Sequence, residues 1–254
     1  MIRIDLNADA GESFGAWNMG HDDRLMPLLS SVNLACGFHA GDAGTMRRSV
    51  ALAAEHGIAI GAHPGFPDLL GFGRRELAAS PDEVYADTLY QLGALSAFLR
   101  PHQKRLHHVK PHGALYLKML VHTPTAAAVA AAVKDFDTTL PLVVLAGLGG
   151  EQVAETVREA GLRAVLEAFP DRGYGDDGRL APRAEAGAVV HDPLEVARRA
   201  LLMAQGSVVA SLSGKQLEIT AETLCLHGDA PNAPAAARAV RSALAKAEIG
   251  VQTF

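Results

Sequence analysis

Ile2-Arg-Ile-Asp-Leu-Asn-Ala-Asp-Ala-Gly-Glu12 alternates apolar and polar side chains, then ends on glycine and a carboxylate. Side chains on a strand alternate faces. Ile2, Ile4 and Leu6 therefore share one face, and Asp5, Asn7 and Asp9 the other. The same design returns in Val32-Asn-Leu-Ala-Cys-Gly-Phe-His-Ala-Gly-Asp42, Ile58-Ala-Ile-Gly-Ala-His-Pro64 and Val109-Lys-Pro-His-Gly113. Val165-Leu-Glu-Ala-Phe-Pro-Asp171 and Leu224-Cys-Leu-His-Gly-Asp229 complete the series. Each reads as a strand with ionisable groups at its C-terminal end. Several strands doing this at one end of a sheet build one polar site, as an α/β barrel does.

Between these strands the sequence reads as helix. Strands are predicted at about 2–7, 32–36, 58–62, 106–109, 142–146, 164–168 and 222–226. Helices are predicted at about 22–30, 42–56, 80–99, 123–136, 150–160, 192–205 and 233–247. Ser80-Pro-Asp-Glu83 is a strong helix start, with an N-cap serine, proline at the first helical position and glutamate at the third. Lys215–Thr220 reads as part of a hairpin. Strictly alternating β and α units argue for a parallel sheet. The expectation is a single α/β domain over residues 1–254, a seven-stranded (β/α) barrel with apolar strand faces against helices and polar faces toward its interior.

Composition narrows the function. At 254 residues and 49% hydrophobic content the chain can bury a large core. A net charge of −5, with no basic block, argues against a nucleic-acid partner. No apolar run approaches 18 residues and the N-terminus enters a strand directly, so no membrane partner and a cytoplasmic location are expected. Cys36 and Cys225 each sit in an apolar strand and read as buried thiols.

The strand ends carry the candidate chemistry. Asp9 and Glu12 offer carboxylates for a metal, a water or an ammonium, while Asp5 lies deeper. His39 titrates near neutrality and suits acid–base work. Asp42 either joins the site or N-caps the helix that follows. Lys110 and His112, two apart, face one way and suit an oxyanion and proton transfer. His107 and His108 read as packing or surface residues. Arg75, in Gly71-Phe-Gly-Arg-Arg75, and Arg172, on the long loop after the sixth strand, suit a carboxylate. No phosphate loop and no Cys-x-x-Cys pair occur. Gln152 stands where a dinucleotide fingerprint beginning at Gly147 needs glycine.

Taken in order, Asp5–Glu12, Asn33–Asp42, Gly61–Asp68, Gly71–Arg75, Val109–Tyr116, Glu167–Arg172 and Leu226–Asp229 resemble the LamB/YcsF family over nearly the whole chain. The resemblance implies a barrel related to the glycoside hydrolase/deacetylase superfamily. It implies the A subunit of an ATP-dependent 5-oxoprolinase, which opens 5-oxo-L-proline to L-glutamate. It also implies two partner subunits resembling the halves of allophanate hydrolase. Since this chain has no nucleotide loop, ATP is expected on a partner. The expected catalytic residues are Asp9 and His39, acting on water, and Lys110 and His112, acting on the oxygen or leaving group. Asn7, Glu12, Asp42, His63, Arg75, Arg172 and His227 are expected to bind substrate. The alternative is a metal-dependent amide hydrolase in which Asp9, His39 and His63 hold a divalent ion. A third reading is a non-catalytic scaffold.

Overall fold

A computed structural model describes residues 2–230 and 232–254. Seven parallel strands close into a barrel: β1 (Arg3–Ala10), β2 (Ser31–Ala35), β3 (Ala59–His63), β4 (His108–Val109), β5 (Leu142–Leu145), β6 (Ala164–Ala168) and, after a hairpin, β9 (Thr223–Leu226), which pairs back onto β1. The hairpin is β7 (Val208–Ala210) with β8 (Gln216–Glu218), and β10 (Gly250–Val251) lies beside the start of β1. Helices α1 (Asp22–Leu25), α2 (Ala43–Glu55), α3 (Pro81–Leu99), α4 (Gly113–Met119), α5 (Thr123–Phe136), α6 (Glu151–Glu159), α7 (Pro193–Ala204) and α8 (Ala233–Lys246) fill the connections.

The alternation in β1 survives in three dimensions. Ile4, Leu6, Ala8 and Ala10 are buried on the helix-facing side. They join Val32, Leu34, Ile60, Val109, Leu224 and Leu226 in one apolar core. Each fully buried branched side chain there contributes about 1.5–3 kcal/mol. The register puts Asp9 beside Asn33, Asn33 beside Gly61, and Gly61 beside His108, so these share the interior face. At Gly61 an added Cβ would overlap the His108 imidazole, so the missing side chain is what lets that ring cross the barrel.

Helix starts follow local chemistry. Ser80 and Glu83 form a reciprocal capping box on α3, and Asp192 caps α7 ahead of Pro193. Several boundaries differ from expectation. Strand β1 runs on to Ala10 because Asp9 and Ala10 pair with Asn33 and Leu34. The helix predicted at 22–30 is α1 followed by a 3-10 turn at Met26–Leu28, where Pro27 breaks the α pattern. Helix α4 opens at Gly113, two residues after Pro111, and is too short to show periodicity. Cys36 and Cys225 are buried free thiols.

Candidate active site

Asp9, at the top of β1, and Lys110, just past β4, meet at the barrel mouth. The Lys110 ammonium donates to Asp9 Oδ1 at 2.7 Å and to Cys225 Sγ at 3.0 Å, and lies 3.4 Å from Glu167 Oε1. His63 Nε2 is 3.2 Å from Asp9 Oδ2. Burial would raise the Asp9 carboxyl, but His63 and Lys110 hold it well below the usual range. Burial alone would depress Lys110, yet Asp9, Cys225 and Glu167 push it well above its ordinary value. The floor is therefore a fixed carboxylate against a fixed ammonium. Glu167, beneath them, is pushed up to about 7, chiefly by burial and partly offset by Lys110.

Beside this pair His39, His63 and His112 gather around Glu12. His63 Nδ1 lies 2.6 Å from the Lys110 carbonyl and His112 Nε2 lies 2.8 Å from the Phe72 carbonyl. Each of those nitrogens must carry the proton, because a carbonyl only accepts. In the neutral rings, His63 Nε2 and His112 Nδ1 then present lone pairs to each other across 2.9 Å. Such a contact needs a proton or a cation between the rings. Glu12 Oε1 stands 3.3 Å from His39 Nε2, 3.5 Å from His112 Nδ1 and 4.0 Å from His63 Nε2. One donor atom from each of Glu12, His39, His63 and His112 falls within 4.8 Å of all the others. Ligands held at 2.0–2.2 Å by one divalent ion sit about 3–3.5 Å apart, and the Glu12–His39, Glu12–His112 and His63–His112 separations lie near that range, so these side chains would hold such an ion after small shifts. The carbonyl contacts to His63 and His112 are the outer partners that orient imidazole ligands. His39 stacks face to face on His112 at 3.8 Å, and its buried Nδ1 has no partner. At Gly73, with φ +62°, an added Cβ would stand 2.7 Å from His39 and 2.8 Å from His112, so glycine lets the loop after β3 close over the stack.

A cavity of about 440 Å³ opens above, with Asp9, His63, Lys110 and His112 at its base and Phe169, Leu180 and Pro182 among its apolar walls. His227 borders it. Its Nδ1 is 2.8 Å from Asp171 Oδ2, which leaves Nε2 for the cavity. Burial would raise Asp171, but His227 holds it below its ordinary value. Arg74 bridges the mouth to Asp229 at 2.6 Å. Fixed opposite charges, imidazoles and an apolar wall suit addition of water to a polarised carbonyl.

The LamB/YcsF family model matches residues 4–254. The chain belongs to the LamB/YcsF family. Relatives from this family include a Thermus thermophilus protein named as the A subunit of 5-oxoprolinase, 59% identical over 253 residues and covering 100% of both chains. A Deinococcus radiodurans protein of the same name is 55% identical over 245 residues, covering 96% of this chain and 95% of its own. The crystal structure of a lactam utilization protein, also from Thermus thermophilus, matches with a TM-score of 0.93 at 58% identity, covering 100% of both chains.

The LamB/YcsF motifs do not all reach the cavity. Asp9, Glu12, His39, His63, Lys110 and His112 form one cluster, with His227 and Arg172 on the cavity wall. Four of the expected residues are engaged elsewhere in the structure. Asp42 caps α2, accepting from the Gly44 and Thr45 amides, and also takes the Gly15 amide. Arg75 is ion-paired with Asp68 and largely exposed, outside the cavity lining; its neighbour Arg74 borders the cavity instead. Asn7 lies below the mouth, bonded to Glu167, Thr223 and Asn33. Arg172 gives Nε to the Ala188 carbonyl and Nη2 to the Ala181 carbonyl, so the edge that would grip a carboxylate holds the loop. His108, expected as packing or surface, is buried and bonded to Asn33 Oδ1 at 2.7 Å. Tyr116 and Arg183 border the cavity without having been singled out as site residues. The clue to Tyr116 was a helix starting directly after His112.

Proposed function

We propose that this chain is the lactam-hydrolysing A subunit of a cytoplasmic, ATP-dependent 5-oxoprolinase that works with two partner subunits resembling the halves of allophanate hydrolase. The observation that carries the reading is the Asp9–Lys110 pair, 2.7 Å apart at the base of the cavity, in a chain with full-length relatives of that name. Among the described residues no helix is long and apolar enough to cross a membrane. An unstrained five-membered lactam is a poor electrophile, so the partners use ATP to activate it by phosphorylation and this chain supplies the water.

Asp9 Oδ2 holds the water and takes its proton as it adds to the carbonyl carbon; both His63 nitrogens are engaged, and His39, expected beside Asp9, is fully buried outside the cavity lining. Lys110 faces the oxygen that carries the phosphoryl group and offsets its charge. The carbon–nitrogen bond then breaks with its electron pair on nitrogen, leaving the acyl phosphate of glutamate, and a second water displaces the phosphate to give glutamate and inorganic phosphate. His227, rather than His112, delivers the proton to that nitrogen, because both His112 nitrogens are engaged while Asp171 leaves His227 Nε2 facing the cavity. Glu12, His39, His63 and His112 would hold a divalent cation, which when bound supplies Lewis acidity toward the water.

The test is to combine this chain with its two partners, 5-oxoproline and ATP, and to measure glutamate. Glutamate should require all three proteins, and the chain alone should hydrolyse no ATP. Full turnover by the partners without this chain would defeat the reading. The imidazole–carboxylate cluster also favours a second reading, a metal-dependent amide hydrolase. That reading wins if the isolated, metal-loaded chain cleaves simple amides without ATP.

A further inference from the structure

The proposed hydrolysis accounts for the base of the cavity but not for its rim. Arg74 arrives on the loop after β3, and Arg172 and Arg183 on the loop after β6; all three border the same cavity. The first two are already engaged. Arg74 is paired with Asp229 at 2.6 Å, and Arg172 donates Nε and Nη2 to backbone carbonyls at 2.9 and 2.6 Å. Arg183, exposed at the rim, makes no side-chain hydrogen bond or ion pair with any described residue, so its guanidinium borders the cavity with its donors unused. Its planar donor fork matches a carboxylate through two parallel bonds.

We propose that Arg183, with Arg74 beside it, is the specificity-determining residue of this site and binds the carboxylate of a five-membered lactam acid whose ring carbonyl lies against Lys110. The proposal rests on the lactam reading above and replaces the expected role of Arg172. It explains why the mouth carries more cationic groups than hydrolysis of the ring requires. In 5-oxoproline the carboxylate and the ring carbonyl lie on either side of the ring nitrogen. One end can therefore meet the rim while the other meets the base.

The experiment compares 5-oxoproline with pyrrolidin-2-one, the same ring without the carboxylate. Kd for both is measured calorimetrically on the chain, and kcat and KM for 5-oxoproline on the reconstituted enzyme. Arg183→Ala should raise Kd and KM for 5-oxoproline about tenfold to a hundredfold, the usual worth of a hydrogen-bonded charge, with kcat little changed. Its Kd for pyrrolidin-2-one should stay at the wild-type value. Arg183→Lys should recover only part of the loss, because the ammonium lacks the fork. Unchanged 5-oxoproline affinity in Arg183→Ala, equal loss of both ligands, or equal wild-type affinity for both would overturn the carboxylate assignment alone. A wild-type chain that binds neither lactam would overturn it together with the lactam reading.

Discussion

Beneath the mouth, Asp5 accepts hydrogen bonds from Ser30 at 2.6 Å, Ser31 at 2.8 Å and Thr223 at 2.5 Å. Above it Asn7 is tied to Thr223 and Asn33, and Asn33 to His108. None of these groups keeps a buried polar atom without a partner. In the mouth, one layer higher, His39 Nδ1 and Asp171 Oδ1 are buried and unpartnered, and two imidazole lone pairs face each other. Both regions are polar and both are buried. The lower one is saturated and holds strands together. The upper one keeps unmet bonding capacity, which the proposed binding of water, cation and substrate would use.

The sharpest way to break that contrast is to neutralise one carboxylate in each layer. Asp9→Asn should lower turnover of the reconstituted enzyme by about 10²–10⁴, and should also lower the melting temperature because Lys110 loses its buried partner. Asp5→Asn should cost only stability, about 1–3 kcal/mol through lost or unmet hydrogen bonds, while turnover survives. Denaturant titration and glutamate release on both variants decide it. A destabilised but active Asp9 variant would erase the distinction.

Glu167 lies between the layers, and pH separates its two sides. Its pKa of about 7 in the fold exceeds the ordinary 4.5. The folded state therefore holds the proton more tightly. That contribution to stability is complete below pH 4.5 and is lost as pH rises through 7. The shift corresponds to about 3 kcal/mol. Glu167→Gln cannot ionise, so its stability relative to wild type should rise by about that much between pH 4.5 and about pH 8. A difference that stays flat across this range would mean that Lys110 keeps Glu167 ionised and that it belongs with the mouth charges.

A cation would complete the upper layer and has nothing to act on in the lower one. Zinc or manganese at a hundredfold excess over its Kd should stabilise the chelator-treated protein by about 2.7 kcal/mol. His63→Ala and His112→Ala should abolish that gain, and His108→Ala should keep it. If metal leaves the wild-type melting temperature unchanged, the His63–His112 pair shares a proton instead.

The fold was legible because β1, β2, β3 and β9 carry their helix-facing and interior residues on alternate positions, so period and parity sufficed. Much of the site was legible for the same reason. Asp9, His63 and Lys110 continue their strands' interior faces, and an extra residue or two cannot turn them away. Legibility failed where side chains leave strands. Arg74 and Arg75 are adjacent in the sequence, and only the turn with Phe72 at φ +54° and Gly73 at φ +62° decides which one meets the cavity. Arg172 looked like a ligand because a long loop holding arginine usually binds something. The loop's own carbonyls, visible only in three dimensions, claimed it. Helix α4 and strand β10 are too short for any period to register.

Asp42 gives the smallest expected effect and tests whether proximity in sequence to His39 confers a role. Its Oδ1 accepts from the Gly44 amide at 2.8 Å and the Thr45 amide at 3.0 Å, and its Oδ2 from the Gly15 amide at 2.7 Å. Those bonds hold its carboxyl below the ordinary range. Such a carboxylate satisfies the open amides at a helix start and has little capacity left for a substrate. Asp42→Ala should therefore cost about 1 kcal/mol, the usual value of an N-cap, and Asp42→Asn should recover most of it. The loop from Gly11 to Gly15 also carries Glu12, so the loss of the Gly15 contact offers one route by which a structural change could reach the mouth. KM and kcat separate the cases. If both stay at wild-type values while the melting temperature falls, Asp42 belongs with the saturated region. If kcat falls in Asp42→Ala and returns in Asp42→Asn, the cap positions Glu12, and the boundary between the two regions runs through the β1 loop rather than beneath it.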